Sequence, residues 1–292
     1  MDTILEKLQG KAFHLSEVVY SSLSDKYESL VGIPIADCMV EGFHPRLFAQ
    51  VIKKHREQFR TAEYIGSRID NPTTGTIDHM HAEIASSIAV RLGSQYGHEE
   101  YALELLRTSA HLHDSDRSYP TLMVQGEHAA RHDPVAYREL KERHVRNSAD
   151  IAMRIVRQCR NEGFYFPEDF LKDMEYLILR HEKGGVRNRN GRIENPSGID
   201  PELDLDELTD ILTDSDSLAY FDANILTNWI ESGKCVQALS NKVHYMYDRM
   251  SERAKGEFHS VILNSADHIL GSWNCADEDV AAIRSILLSE CV

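Results

Sequence analysis

Apolar residues in this chain recur three and four positions apart through most of its length, and strand-like alternation over more than four residues is nearly absent. That periodicity lays apolar side chains along one stripe of an α-helix and gives a β-sheet no buried face, so the fold expected is all-α. At 292 residues and 42% hydrophobic, the chain has enough apolar material for one sizeable helical core.

Punctuation divides the pattern into helices. "SEVVYSSLSDKYESLV" and "HPRLFAQVIKKHREQF" are expected as helices in the first 60 residues, followed by the turn-forming "RIDNPTTGTID", in which Thr76 or Asp78 can cap what comes next. The next helix, "HMHAEIASSIAVRLGSQYG", places Ile84, Ile88 and Leu92 on one face and stops at Gly97. "HEEYALELLRTSAHLHD" follows with Leu103, Leu106 and Ala110 in register, and Pro120 is expected to end it. Asp133 can cap a long helix opened by Pro134, and "FLKDMEYLILRHE" forms another, with Glu168 or Asp169 ahead of it and Gly184–Gly185 behind it. Residues 184 to 203 read as an exposed loop, and helix resumes in "DELTDILTDSDSLAYFDANIL". Amphipathic patterns fill the last 70 residues, where Tyr245, Met246, Tyr247 and Met250 are expected in the core.

A net charge of −15, spread along the chain, argues against duplex nucleic acid or an anionic membrane as partner, so an anionic ligand requires a local basic patch. The five cysteines, Cys38, Cys159, Cys235, Cys275 and Cys291, form no CxxC pair, which suits reduced thiols. With no signal-peptide pattern at "MDTILEKLQGKAFHL" and no apolar run of about 20 residues, a cytoplasmic protein is expected. The fifteen histidines are about twice average usage, and they point to chemistry.

Five helix-borne positions offer imidazole or carboxylate ligands of the kind that divalent metals take up when several converge. They are one of His79 and His81, the pair His113–Asp114, His144, His181, and one of Asp214 and Asp216. Each lies in or beside an apolar stripe, where an unpaired polar group costs a few kcal/mol. Residues two apart on a helix cannot face one point; from His81 the offsets four, seven and eleven reach Ala85, Ile88 and Leu92, and from His79 those offsets reach no such seam. For the aspartates helical geometry leaves the choice open, because both lie about 100° from the centre of the stripe Leu208, Ile211, Leu212, Ser215, Leu218 and Ala219.

In the order H, HD, H, H, D, residues 76 to 221 resemble the HD superfamily of helical metal-dependent phosphohydrolases. The matching segments are "HAEIASSIAVRL", "SAHLHDSDR", "RHVRNSADIAMRIV", "ILRHEKGG" and "DSDSLAYF". Family members keep an apolar seam at offsets four, seven and eleven from the first histidine, which favours His81, and the family's pattern of small residue, Asp, any residue, Leu fits "SDSL", which favours Asp216. The resemblance implies a helical bundle with additional N- and C-terminal helices. Residues 1–75 would be an N-terminal extension packed on the core, 76–221 the metal-binding core, and 222–292 C-terminal helices of the same domain. It also implies two divalent ions, iron or manganese first, with magnesium, cobalt, nickel or zinc compatible. His81, His113, Asp114 and Asp216 would hold one ion, and Asp114 would bridge to a second held by His144 and His181.

Paired divalent ions activate a bridging water and neutralise a phosphoryl group under attack. The expected activity is therefore hydrolysis of a phosphoester or nucleotide-like anion by a metal-bridging hydroxide, with Asp114 and Arg117 catalytic. Arg117 stands where HD-GYP phosphodiesterases carry the lysine of "HDxGK", and a guanidinium can grip phosphate. With Arg117, the cations Lys183, Arg187 and Arg189 of "RHEKGGVRNRNGR" are candidate substrate contacts, in a segment that also holds Arg180 and Arg192. His111 and Asp116 are expected as supports for the ligands. Arg180 replaces the first histidine of the HD-GYP "HHE" and the GYP continuation is absent, so neither a third metal nor cyclic di-GMP carries over. Glu127, His128 and His132 of the insert before Pro134 could enter the pocket, and "GFHPRLFAQVIKKHREQF" could cover it as a lid. The same six ligands occur with two irons in oxygenases that resemble inositol oxygenase, which cleave a C–C or C–P bond with O2; that is the alternative activity. A non-catalytic nucleotide sensor is a third reading, and a homodimer is compatible with all three.

Overall fold

The computed structural model describes residues 42–61, 73–118, 134–183, 203–221, 242 and 245–258. Among these the fold is all-α, without a strand. Among the described residues, those up to Asp216 belong to one compact unit and those from Ser217 onward to another. In the described residues no helix is long and apolar enough to cross a membrane.

The larger unit contains α1 (Leu47–Thr61), α2 (Thr73–Gln95), α3 (Glu100–Leu112), α4 (Pro134–Asn161), α5 (Phe170–Arg180) and most of α6 (Leu205–Ala219). Short 3-10 turns follow α3 at Ser115–Ser118 and α5 at His181–Lys183. Its core includes most of the seam positions expected on α2, α3 and α6, though Ile84 and Leu103 are only half-buried, and adds residues of α5. Ala85, Ile88 and Leu92 of α2, Leu106 and Ala110 of α3, Met174, Leu177 and Ile178 of α5, and Leu208, Ile211 and Leu212 of α6 are all buried.

Two glycines close helices, the expected Gly97 and, in addition, Gly163. Gly97 adopts φ +85, and the amides of Gly97 and His98 bond the carbonyls of Ser94 and Gly93, the paired bonds of a Schellman ending. Gly163, at φ +92, ends α4 in the same way, with Gly163 and Phe164 bonding Arg160 and Cys159. Gly93 serves packing instead. A Cβ there would meet Leu106 and Leu103 side-chain carbons at 2.7 and 2.8 Å, so its absence lets α2 lie close on α3.

Several boundaries differ from the pattern. α2 begins at Thr73, one turn early, because no proline after residue 72 stops it; Thr76 and Asp78 therefore lie inside the helix rather than capping it. Asp169 occupies the N-cap of α5 without a side-chain cap bond, and α6 ends at Ala219, short of the pattern, in a tight turn where Tyr220 N–H bonds Ser217 O. The most consequential change is at α3, which stops at Leu112 rather than running toward Pro120. Ser115 Oγ donates to the Leu112 carbonyl and His113 Nδ1 to that of Ala110, so side chains take up carbonyls that a continuing helix would use.

The segment proposed as a lid is packed into this unit. Phe43, Leu47, Val51 and His55 are buried, and Phe43 meets Phe170 edge-on at 5.0 Å. In the other unit Met246, Tyr247, Met250 and Phe258 are buried, whereas Tyr245 is half-buried. The helix expected in residues 16–31, the cap Asp133 and the insert with Glu127, His128 and His132 lie outside the described residues.

Candidate metal centre

Six side chains from five helices meet inside the larger unit. His81 comes from α2, His113 and Asp114 from the end of α3, His144 from α4, His181 from the end of α5, and Asp216 from α6. None is more than 7% exposed. His81 Nε2 lies 2.9 Å from Asp216 Oδ1, which is 3.2 Å from His113 Nε2. Asp114 Oδ1 is the hub of the remainder, 2.9 Å from His144 Nε2 and 3.8 Å from the Nε2 atoms of both His113 and His181. Three overlapping groups have all their donor atoms within 4.8 Å: His81–His113–Asp114, His113–His181–Asp216 and Asp114–His144–His181.

His113 and His181 are placed by one local device. Each is the αR residue closing a helix before a 3-10 turn, and each turns Nδ1 back to donate, at 2.7 Å, to the carbonyl three residues earlier, Ala110 or Ile178. A helix end offers carbonyls without intrahelical partners, so this bond comes readily to a histidine there. With Nδ1 carrying the proton, the neutral ring has its lone pair on Nε2, pointing into the cluster. Thr213 Oγ1 of α6 donates to the His181 carbonyl at 2.9 Å, and Lys141 of α4 pairs with Glu182 at 2.6 Å, which together pin the turn.

Charge is concentrated here. Burial disfavours the charged form of His113, but the adjacent Asp114 and Asp216 carboxylates outweigh it and push the ring up to about 9. Asp114 would also be raised by burial, yet Arg117, His113 and His144 hold it well below the usual carboxylate range. His144 is raised against burial by its bonds to Asp114 and Asp116. Burial and the charge on His113 pull His181 down to about 3, so it stays neutral.

The donor set fits divalent metal. Atoms bound at about 2.1 Å around one ion lie roughly 3 to 3.4 Å from one another, close to the 2.9 and 3.2 Å spacings here. His113 Nε2 is buried and makes no hydrogen bond of good geometry, as a nitrogen aimed at an ion would be left without one. These buried His and Asp side chains can hold metal.

Of the paired candidates, Asp216 joins the cluster, while Asp214, equally buried, belongs to none of the three groups. His81 joins it as well, and the side chain of His79 lies outside the described residues. His111 stands apart against the rings of Phe48 and His55. Arg117 gives its Nε to Asp114 Oδ2 at 2.5 Å, a pairing three residues apart on the short turn. Arg187, Arg189 and the Lys183 side chain are outside the described residues. Ser148, Thr213 and Lys141 were not singled out from sequence, although Ser148 follows His144 by one helical turn and so shares its face.

Compared with protein-family models, curated proteins and solved structures, the chain matches none.

Proposed function

We propose that this chain is an HD-type hydrolase that uses two divalent ions, iron or manganese, on a small phosphoester or nucleotide-like anion. The observation that carries the reading is the sharing of Asp114 between two of the buried donor groups, one with His81 and His113 and one with His144 and His181. When bound, the ions would supply Lewis acidity, both to activate water and to offset phosphoryl charge. The chain's own residues do the rest. The carbonyls of Ala110 and Ile178 hold two imidazoles with Nε2 inward. Arg117 orients the Asp114 carboxylate through Oδ2, leaving Oδ1 as the hub. Its side chain, 16% exposed, adds positive charge beside the hub, where an anionic substrate gains from it.

Protein reconstituted with Mn2+ or Fe2+ should hydrolyse at least one member of a phosphomonoester, phosphodiester and nucleotide panel, and Asp114→Ala should abolish that activity. Silence across the panel with O2 uptake driven by a polyol or phosphonate would replace the hydrolase with the di-iron oxygenase. Tight nucleotide binding without turnover would replace it with a sensor.

A further inference from the structure

One carboxylate beside the cluster is left unexplained by metal ligation. Asp116 is 2% exposed and belongs to none of the three donor groups. A carboxylate so buried is destabilising unless its charge is matched. Its backbone N–H donates to Ser148 Oγ at 3.1 Å, and its Oδ2 lies 3.3 Å from His144 Nδ1. Its Oδ1 has no hydrogen-bond donor among the described residues. Packing and backbone capping do not use this charge; His144 does.

His144 is thereby held at both nitrogens by one short segment, with Asp116 behind Nδ1 and Asp114 in front of Nε2 at 2.9 Å. The 3-10 turn makes this reach feasible by bringing residues two apart to opposite sides of the same ring. The contrast with His113 and His181 is chemical, since their Nδ1 protons rest on neutral carbonyls. A carboxylate behind an imidazole fixes the Nδ1–H tautomer and makes Nε2 a stronger donor to metal.

We infer that Asp116 is a positioning residue that acts through His144, making the ion held by Asp114, His144 and His181 the tighter of the two. The inference rests on the dinuclear reading above. Titration of the full chain with Co2+, followed by calorimetry and by the visible spectrum of bound cobalt, tests both. Wild type should take up two equivalents with separable affinities. Asp116→Asn, which keeps an acceptor without the charge, should weaken the tighter one about tenfold and Asp116→Ala up to about a hundredfold, leaving the weaker unchanged. In a His144→Ala background, Asp116→Ala should add nothing. Unchanged affinity in Asp116→Ala, or an equal loss with His144 already removed, overturns the role of Asp116 while the dinuclear reading stands. Wild type binding one equivalent or none overturns the dinuclear reading and this inference with it. Should Asp116→Ala not fold, Ser148→Ala loosens the same aspartate; a few-fold loss at the tighter ion supports the inference, and no change overturns it.

Discussion

Two groups of buried histidine lie on opposite sides of the end of α3, and they differ in their surroundings. On one side His111 packs edge-on against Phe48 and His55 of α1, with ring centroids 5.6 and 4.9 Å away, and Arg107 stacks over Phe48. On the other, His113 lies 5.3 Å from the His81 ring and 4.9 Å from that of His181, with two carboxylates in reach of its Nε2. Both histidines are fully buried and both meet other histidines. What separates them is the company of Asp114 and Asp216, and an Nδ1 tied to backbone so that Nε2 faces inward. Burial and clustering of histidine do not define a metal centre; convergent carboxylates and fixed tautomers do.

The largest expected effect tests that contrast directly. Asp114→Ala removes the shared donor and should abolish both turnover and uptake of two metal equivalents, measured by elemental analysis after desalting. His111→Leu should retain both equivalents and cost only about 1 kcal/mol of stability, as a moderate core replacement does. Metal lost from His111→Leu at the level of Asp114→Ala would erase the distinction between the two groups.

A second prediction concerns pH. In metal-free protein His113, raised to about 9, contributes stability that is fully present below its unfolded value of 6.5 and is lost as pH climbs through 9. His181, lowered to about 3, works oppositely: it costs nothing above 6.5 and loses stability as pH falls from 6.5 toward 3. Together they place the metal-free maximum near pH 6.5. Bound metal replaces the proton on His113, so apparent affinity should rise about tenfold per pH unit below 9. The gain in Tm on adding Mn2+ should therefore widen between pH 6.5 and 9. A gain independent of pH would show that no proton leaves the cluster on metal binding. The His111 side, lacking the carboxylates, should contribute no such dependence, and His111→Leu should leave the slope intact.

The helices were legible because their signals are local. The three-four seams of α2 and α6, and the stop at Gly97, need only neighbouring residues to be read. The His and Asp positions that meet in the cluster also stand out in the sequence as a spaced set, for the same reason. Asp216 and Asp214 could not be separated by offsets, since the choice depends on where His81 and His113 sit, which only tertiary packing decides. The end of α3 was misread because His113 and Ser115 compete for its last carbonyls, a side-chain effect that apolar periodicity does not register. Arg117 shows a further limit: its spacing from Asp114 permits both a substrate contact and an internal pair, and the packed turn brings out the pair.

The smallest expected effect asks whether the two halves of the cluster can be loosened separately. α2 brings His81 to the cluster, and its close seat on α3 depends on Gly93. Gly93→Ala would drive a methyl group into the ends of Leu103 and Leu106, which can shift at a cost of about 1–2 kcal/mol. Any outward movement of α2 carries His81 away from His113 and Asp216, whereas Asp114, His144 and His181 come from α3, α4 and α5 and keep their spacing. Gly93→Ala should therefore lower Tm by a few degrees and weaken one metal equivalent several-fold with the other unchanged, as read by Mn2+ titration. Equal weakening of both would mean that the cluster responds as a single unit. The Asp114 carboxylate would then couple the two ions so tightly that neither half has an affinity of its own.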